Sequence, residues 1–136
     1  MEFIKFSLAG FDDFLIYFAL AAVFIAVYLA IYIRVTPYRE FALIREGNSA
    51  AAASLSGSLI GFVLPLASAI IHSVNPWDMA LWAAIALVVQ IVVYLAVKAA
   101  VPGIVRHIPE GKAGPGIFLG AASLAAGIVN AACMTY

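Results

Sequence analysis

Four long stretches without a charged side chain dominate this sequence of 136 residues. They run from Phe14 to Ile33, from Ser49 to Ile71, from Met79 to Val97 and from Ala113 to Tyr136. A helix needs about 20 apolar residues to span the hydrocarbon core of a bilayer, because each residue advances only about 1.5 Å. All seven Lys and Arg and all seven Asp and Glu lie outside the stretches. The sequence therefore predicts an all-α polytopic membrane protein with four transmembrane helices.

Composition narrows the class of protein further. Hydrophobic residues make up 66% of the chain and charged residues 10%, whereas soluble domains are about 45–50% apolar and about 25% charged. The zero formal net charge argues against a nucleic-acid partner, which requires a basic surplus. Cys133 is the single cysteine, so an intrachain disulfide is excluded and a Cys/His metal cluster is disfavoured. We expect no metal, no cofactor and one membrane domain over residues 1–136, embedded in the lipid bilayer.

The distribution of charge predicts the orientation. Two connections on one side hold six of the seven basic residues against three glutamates, and the other side holds Lys5 against four acids. Lys and Arg accumulate in short cytoplasmic loops. We therefore expect both connections in the cytoplasm and both termini in the periplasm. Asp12 and Asp13, and Asn75 with Pro76, are the predicted caps at periplasmic helix starts.

The two halves, about 12–74 and about 76–136, resemble each other. Thr36-Pro37 recurs as Val101-Pro102, and Glu46-Gly47 recurs as Glu110-Gly111. Each half crosses the membrane twice, so the pattern predicts two parallel two-helix repeats rather than an inverted repeat.

The first connection is predicted to form a short amphipathic helix at the cytoplasmic surface. Thr36 is its predicted N-cap, Pro37 its first residue, and Gly47 follows its end. Tyr38 faces lipid or protein in this prediction, while Glu40 meets water. Three arginines form the predicted cytoplasmic surface: Arg39, Arg45 and Arg106.

Small residues mark the predicted contacts between helices. Membrane helices associate through close backbone approach at small side chains, and the second and fourth stretches carry the densest stripes of them. We expect these two helices to form the inner contacts, through Ser54, Gly57, Ser58, Gly61, Gly116, Gly120 and Gly127. The same serines could instead line a polar pathway in an assembly of several chains.

Uncharged polar side chains are the remaining candidates for function. Gln90, Asn130 and Asn48 are candidate polar membrane contacts, and we predict a hydrogen bond from Gln90 to Ser58. No charged residue lies within a stretch, so a carrier that depends on a carboxylate inside a span lacks its central part. The aromatic residues near helix ends, Tyr28, Tyr32, Tyr94, Trp77 and Trp82, fit belts at the membrane interfaces.

An ordered set of residues spans the first connection and the second stretch: Thr36-Pro37, Glu40, Leu43-Ile44, Gly47-Asn48, Ala50-Ala51-Ala52, Gly57, Gly61 and Pro65. This pattern resembles the signature of the bacterial YjfL-like inner-membrane family, domain of unknown function 350. The segment from Gly127 to Met134 is similar to that family's C-terminal segment. The resemblance implies a bacterial inner-membrane protein built of paired two-helix repeats, and it implies no particular activity.

Two hypotheses of function follow. The first is a non-catalytic channel or permease-like component, formed as a homo-oligomer. The alternative is a membrane scaffold whose cytoplasmic connections recruit lipid or a soluble protein partner. No catalytic residues are predicted, because His72 and His107 fall on opposite sides of the membrane and no nucleophile set is complete.

Overall fold

The computed structural model describes residues 1–134, and every regular element in this range is an α-helix. The elements in chain order are α1 Glu2–Ser7, α2 Phe11–Val35, α3 Glu40–Arg45, α4 Ser49–His72, α5 Pro76–Ala100, α6 Ile104–His107 and α7 Ala113–Cys133. Four segments are long and apolar enough to cross a membrane: Glu2–Val35, Ser49–His72, Pro76–Ala100 and Ala113–Cys133. The predicted all-α architecture with four spans is confirmed. The predicted end of the fourth span at Tyr136 lies outside the described residues.

The start of α5 agrees with its sequence signals, and the start of α2 does not. Asn75 Oδ1 accepts a hydrogen bond of 2.9 Å from the backbone N–H of Asp78, and Pro76 is the first helical residue. At α2, however, Gly10 is the N-cap, and Asp12 and Asp13 lie inside the first turn. The prediction that these two acids cap the helix is wrong, although their charges still favour the positive end of its dipole.

The first connection differs from its prediction. α3 begins at Glu40 rather than at Pro37, and Thr36 is the C-cap of α2. The physical reason is Pro37, whose ring disfavours helical backbone in the residue before it. Thr36 is extended, with ψ of 136°, so α2 ends there and the chain turns before α3 begins.

α4 and α7 form the largest contact between helices. Their glycines meet the facing backbone directly: a Cβ atom on Gly57 would overlap Gly120, and one on Gly127 would overlap Gly61. Gly116 faces Ala50 in the same way. α2, by contrast, buries only two of its residues, Tyr28 and Tyr32. The α4–α7 pair is therefore the centre of the bundle, and most of α2 faces outward.

The two connections meet at one end of the bundle, which we call the α3–α6 end. Asn48 holds them together there: its Oδ1 accepts from the Ala51 N–H at 3.0 Å, and its Nδ2 donates to the Ile108 carbonyl at 2.9 Å. Asn48 is thus the N-cap of α4 and a bridge to the second connection. It lies at a helix end rather than deep within a span.

Candidate functional site

A chain of buried hydroxyl groups runs through the bundle between α2, α4 and α7. Ser58 Oγ lies 3.1 Å from the hydroxyl of Tyr32 and 3.3 Å from Ser123 Oγ. All three residues are at most 1% exposed. A hydroxyl group both donates and accepts, so the three form a continuous hydrogen-bonded chain. Ser54 lies one turn before Ser58 and donates to the Ala51 carbonyl at 3.1 Å.

Gln90 extends this chain across the α4–α7 contact. Its Nε2 donates to the carbonyl oxygens of Gly61 and Ser123, each at 3.1 Å. The predicted partner Ser58 is wrong, because the glycine at position 61 leaves the backbone of α4 open to the amide. A Cβ atom on Gly61 would lie 3.2 Å from Gln90 Nε2. Gln90 Oε1 is buried without a hydrogen-bond partner among the described residues.

Glu40 is the one charged residue buried in the described part of the chain, at 1% exposure. The Thr36 hydroxyl donates to Glu40 Oε1 at 2.6 Å, while Oε2 has no hydrogen-bond partner among residues 1–134. The prediction that Glu40 meets water is therefore wrong. Its cause is the shortened α3, which begins at Glu40 and turns this side chain toward the bundle instead of toward the surface.

Four buried tyrosines lie near this end of the bundle, and we call Tyr28, Tyr32, Tyr38 and Tyr94 the tyrosine cluster. Each of them interacts electrostatically with Glu40. The ring centroids of Tyr28 and Tyr32 are 5.8 Å apart, and those of Tyr32 and Tyr94 are 5.6 Å apart. Since all four are at most 9% exposed, the prediction of an interfacial belt is wrong for Tyr28, Tyr32 and Tyr94. Phe62 stacks on Tyr28 at 4.5 Å, which closes the apolar side of the cluster.

Burial sets the acid–base behaviour of this end. It raises the pKa of Glu40 from 4.5 to about 7, and the hydrogen bond from Thr36 partly opposes that rise. Burial also raises the pKa of Tyr38 well above its usual range. Repulsion from the Glu40 carboxylate raises this pKa further, by a smaller amount. The hydroxyls of Tyr28, Tyr38 and Tyr94 are buried without hydrogen-bond partners among the described residues. The α3–α6 end thus concentrates a titratable carboxylate and unsatisfied hydroxyls.

Polar groups also occur toward the opposite end of α4. Ser68 Oγ donates to the Ala131 carbonyl at 3.3 Å, and His72 Nδ1 lies 3.3 Å from the same hydroxyl. Asn130 lines a surface cavity of about 450 Å³ between α5 and α7, together with Cys133. The Nδ2 atom of Asn130 is buried without a partner in the described region.

The remaining predicted site residues lie at the surface. Arg39, Arg45 and Arg106 are exposed, and the first two line a cavity of about 270 Å³ that Glu40 and Tyr38 also line. No arginine nitrogen within the described range lies within 4.0 Å of a Glu40 oxygen, since the one ion pair there joins Lys112 to Glu110 at 3.5 Å. Within residues 1–134, no group of three or more His, Cys, Asp and Glu side chains is placed to hold a metal ion.

Glu40 was missed because an amphipathic helix that begins at Pro37 would place it on the polar face together with Arg39. The usable signal was the spacing of Thr36 and Glu40. The non-helical turn that Pro37 imposes between α2 and α3 brings the Thr36 hydroxyl onto the carboxylate four residues later. That signal becomes informative only when Thr36 is understood as the end of α2 rather than the start of α3.

The model of the family described as "Domain of Unknown Function (DUF350)" matches residues 6–134. The chain belongs to the DUF350 family. It is 41% identical over 120 residues to the UPF0719 inner membrane protein YjfL of Escherichia coli strain K12, and equally to that of Escherichia coli O157:H7. The alignment covers 88% of this chain and 91% of each relative. No solved structure is similar enough to count as a match.

Membership of DUF350 confirms the resemblance carried by the Thr36 to Pro65 pattern. Together with the four apolar spans, it identifies a multi-pass inner-membrane protein. In this DUF350 chain the pattern residues Thr36 and Glu40 are hydrogen-bonded to each other, and the pattern glycines Gly57 and Gly61 lie at the α4–α7 contact.

Replacing Gln90 by leucine is expected to lower the stability of the bundle by about 1 kcal/mol, the typical strength of a hydrogen bond between membrane helices. The variant loses both bonds that Nε2 donates, to Gly61 and to Ser123. The measurement is thermal unfolding in detergent. Val88→Leu, at a lipid-facing position of the same helix that is 58% exposed, is the matched control and should unfold as the unmodified protein does.

Proposed function

We propose that this protein is a non-catalytic, permease-like component of the inner membrane that conducts protons. The observation that carries the proposal is the series of buried polar groups between the α3–α6 end and the middle of the bundle. It runs from Glu40 and Thr36 through the tyrosine cluster to Ser58, Ser123 and Gln90. Polar and ionisable groups inside a membrane are costly and commonly mark ion pathways and proton relays.

The tight α4–α7 contact favours a proton over a hydrated ion. Gly57 packs on Gly120 and Gly61 packs on Gly127, so the two backbones leave no space for even one added methyl group. A hydrated metal ion is much larger than a methyl group. A proton needs no such space, because within each of two segments, Thr36–Glu40 and Tyr32–Ser58–Ser123, the groups are already within hydrogen-bond distance. The hydroxyls of the tyrosine cluster that have no hydrogen-bond partner within residues 1–134 are the groups proposed to carry it between the two segments.

The proposal includes the assembly and orientation predicted above. Both connections lie in the cytoplasm, both termini lie in the periplasm, and the chain forms a homo-oligomer. The Nδ2 atom of Asn130, beside the cavity between α5 and α7, is buried without a hydrogen-bond partner within the described chain. A second copy packed on this face would supply that partner, which supports self-association. The proposed parallel repeat is supported by the bond between Ser58 and Ser123, which are 65 residues apart.

The test is proton flux into liposomes that contain the purified protein and a trapped pH indicator, driven by a potassium diffusion potential. We expect flux above that of empty liposomes, and at least a tenfold loss when Ser58 and Ser123 are both replaced by alanine. Ser56→Ala is the matched control, because Ser56 lies on the exposed face of α4. Flux equal to that of empty liposomes, or a double variant that conducts like the Ser56→Ala protein, would contradict the proposal.

The alternative is a scaffold whose cytoplasmic face recruits anionic lipid or a soluble partner. It is favoured by the cavity at which Arg39 and Arg45 meet Tyr38 and Phe41, since arginine pairs well with phosphate. Native mass spectrometry of protein purified with anionic lipid discriminates the two functions. Under the scaffold hypothesis, replacing both arginines by glutamate removes bound lipid, and the protein conducts no protons in either form.

A further inference from the structure

We propose that Glu40 and Thr36 form a proton-binding site in which both protonation states of the carboxyl group are hydrogen-bonded. The proposal deepens the proposed function and rests on it for the choice of the proton as the conducted species. It identifies where a proton binds. Proton conduction, which is the proposed function, does not by itself identify a binding site.

The first argument is the hydroxyl group of Thr36, which has one proton and three acceptors in reach, the most distant being the Ile33 carbonyl at 3.5 Å. Its oxygen lies 2.6 Å from Glu40 Oε1 and 3.2 Å from the carbonyl oxygen of Tyr32. When Glu40 is ionised, the hydroxyl donates to the carboxylate. When Glu40 is protonated, its own O–H donates to Thr36 Oγ1, and the Thr36 hydroxyl turns to the Tyr32 carbonyl. Neither state leaves the Thr36 proton without an acceptor.

The second argument is the surroundings of the carboxyl group. Its uncharged neighbours are Tyr28 and Tyr32 on α2, Tyr38 in the first connection and Tyr94 on α5. The charged Arg39 and Arg45 line the same cavity as Glu40, although no ion pair joins either of them to it within residues 1–134. On α4, the uncharged Ser58 is hydrogen-bonded to the Tyr32 hydroxyl. A buried carboxylate without a cationic partner is unfavourable, which favours uptake of a proton. The direction of the Glu40 pKa, raised to about 7, agrees with this environment.

The third argument distinguishes a proton from a sodium ion. The one hydrogen bond to the Glu40 side chain among the described residues comes from the Thr36 hydroxyl, and Oε2 has no partner there. Hard cations require several oxygen ligands at once. A proton on Oε1 requires a single acceptor, and the Thr36 oxygen 2.6 Å away provides it.

The experiment is infrared difference spectroscopy of the purified protein between about pH 5 and about pH 9, a range that brackets the raised value and excludes ordinary carboxyls. We expect a carboxylic-acid C=O band that disappears with a single midpoint near neutral pH. The band should be absent in Glu40→Gln and retained in Glu46→Gln, the matched control at an exposed glutamate of the same connection. A band that Glu46→Gln removes, or the lack of any carboxyl titrating in this range, would overturn the proposal.

Two variants of Thr36 keep the test decisive even where Glu40→Gln fails to fold. Thr36→Val removes the hydrogen bond of both states, but the bond to the ionised carboxylate is the stronger one, so the midpoint should rise by up to about one pH unit, a gain of up to about tenfold in proton affinity. Thr36→Ser retains the hydroxyl and should keep the original midpoint. A carboxylic-acid C=O band whose frequency Thr36→Val leaves unchanged would refute the hydrogen bond of the protonated state, and an unchanged midpoint would refute the stronger bond to the ionised carboxylate. A midpoint that shifts when sodium chloride replaces choline chloride would assign the site to sodium instead.

The outcome separates binding from conduction. If the liposomes show no flux but Glu40 titrates near neutral pH, the proposed function is wrong and the proton-binding site stands. If the liposomes conduct protons but no carboxyl group titrates near neutral pH, the proton-binding site is wrong and conduction along the serines stands.

Discussion

Alanine at position 120 is expected to destabilise the protein by about 2 kcal/mol or more, because the new methyl group would enter a contact that has no free volume. A Cβ atom on Gly120 would overlap the carbonyl oxygen of Ala53, so α4 and α7 would have to separate. Thermal unfolding in detergent should show a clearly lowered midpoint.

Gly114→Ala is the matched control for this prediction. Gly114 lies on the same helix and takes the same substitution, but a Cβ atom there meets nothing within 4 Å. Alanine is the better helix former by at most about 1 kcal/mol, so this variant should be neutral or slightly stabilised. Equal unfolding midpoints for the two variants would show that the α4–α7 contact is looser than the structure has it.

Replacing Glu40 by glutamine is expected to change how stability depends on pH. The pKa of Glu40 is raised in the folded protein to about 7, so the folded state binds this proton more tightly than the unfolded state. Stability is therefore greatest below the ordinary pKa near 4.5, falls as the pH rises toward 7, and stays constant above it. Each pKa unit corresponds to about 1.4 kcal/mol, so the loss amounts to about 3 kcal/mol.

Glutamine remains neutral at every pH and can donate to Thr36 as the protonated acid does. Glu40→Gln should consequently raise the unfolding midpoint at about pH 8 and leave it nearly unchanged at about pH 5. The measurement is the unfolding midpoint at both pH values, with Glu46→Gln as the control that should leave the difference between them intact. A stabilisation by Glu40→Gln that is equal at both pH values would contradict the assigned cause.

Local patterns predicted much of the architecture correctly. The spans follow from the absence of charge over about 20 residues, and the start of α5 follows from Asn75 and Pro76. These features depend on groups close together in sequence. The predicted start of α3 was wrong because a proline has two opposite effects on nearby helices. Pro37 is favourable as the first residue of a helix, but it also disfavours helical backbone in the residue before it and so ends the preceding helix. The sequence signal alone did not decide between them.

Hydrogen-bond partners across helices were less predictable than the polar residues themselves. Gln90 was identified as a polar contact within the membrane, but its partner Ser58 was wrong. The register between α4 and α7 brings Gly61 and the Ser123 carbonyl to the amide instead. Register depends on how many glycines interlock along both helices at once, and no single stretch of sequence contains that information.

Four apolar spans that are free of charged residues can be derived from the sequence alone, because both properties add up residue by residue along the chain. The burial of Glu40, which lies outside every span, becomes visible only once the helices are packed together. Burial depends on which side chains arrive from other elements. Here the tyrosine cluster brings together α2, the first connection and α5, and so removes water from a carboxylate that sequence position alone would leave exposed.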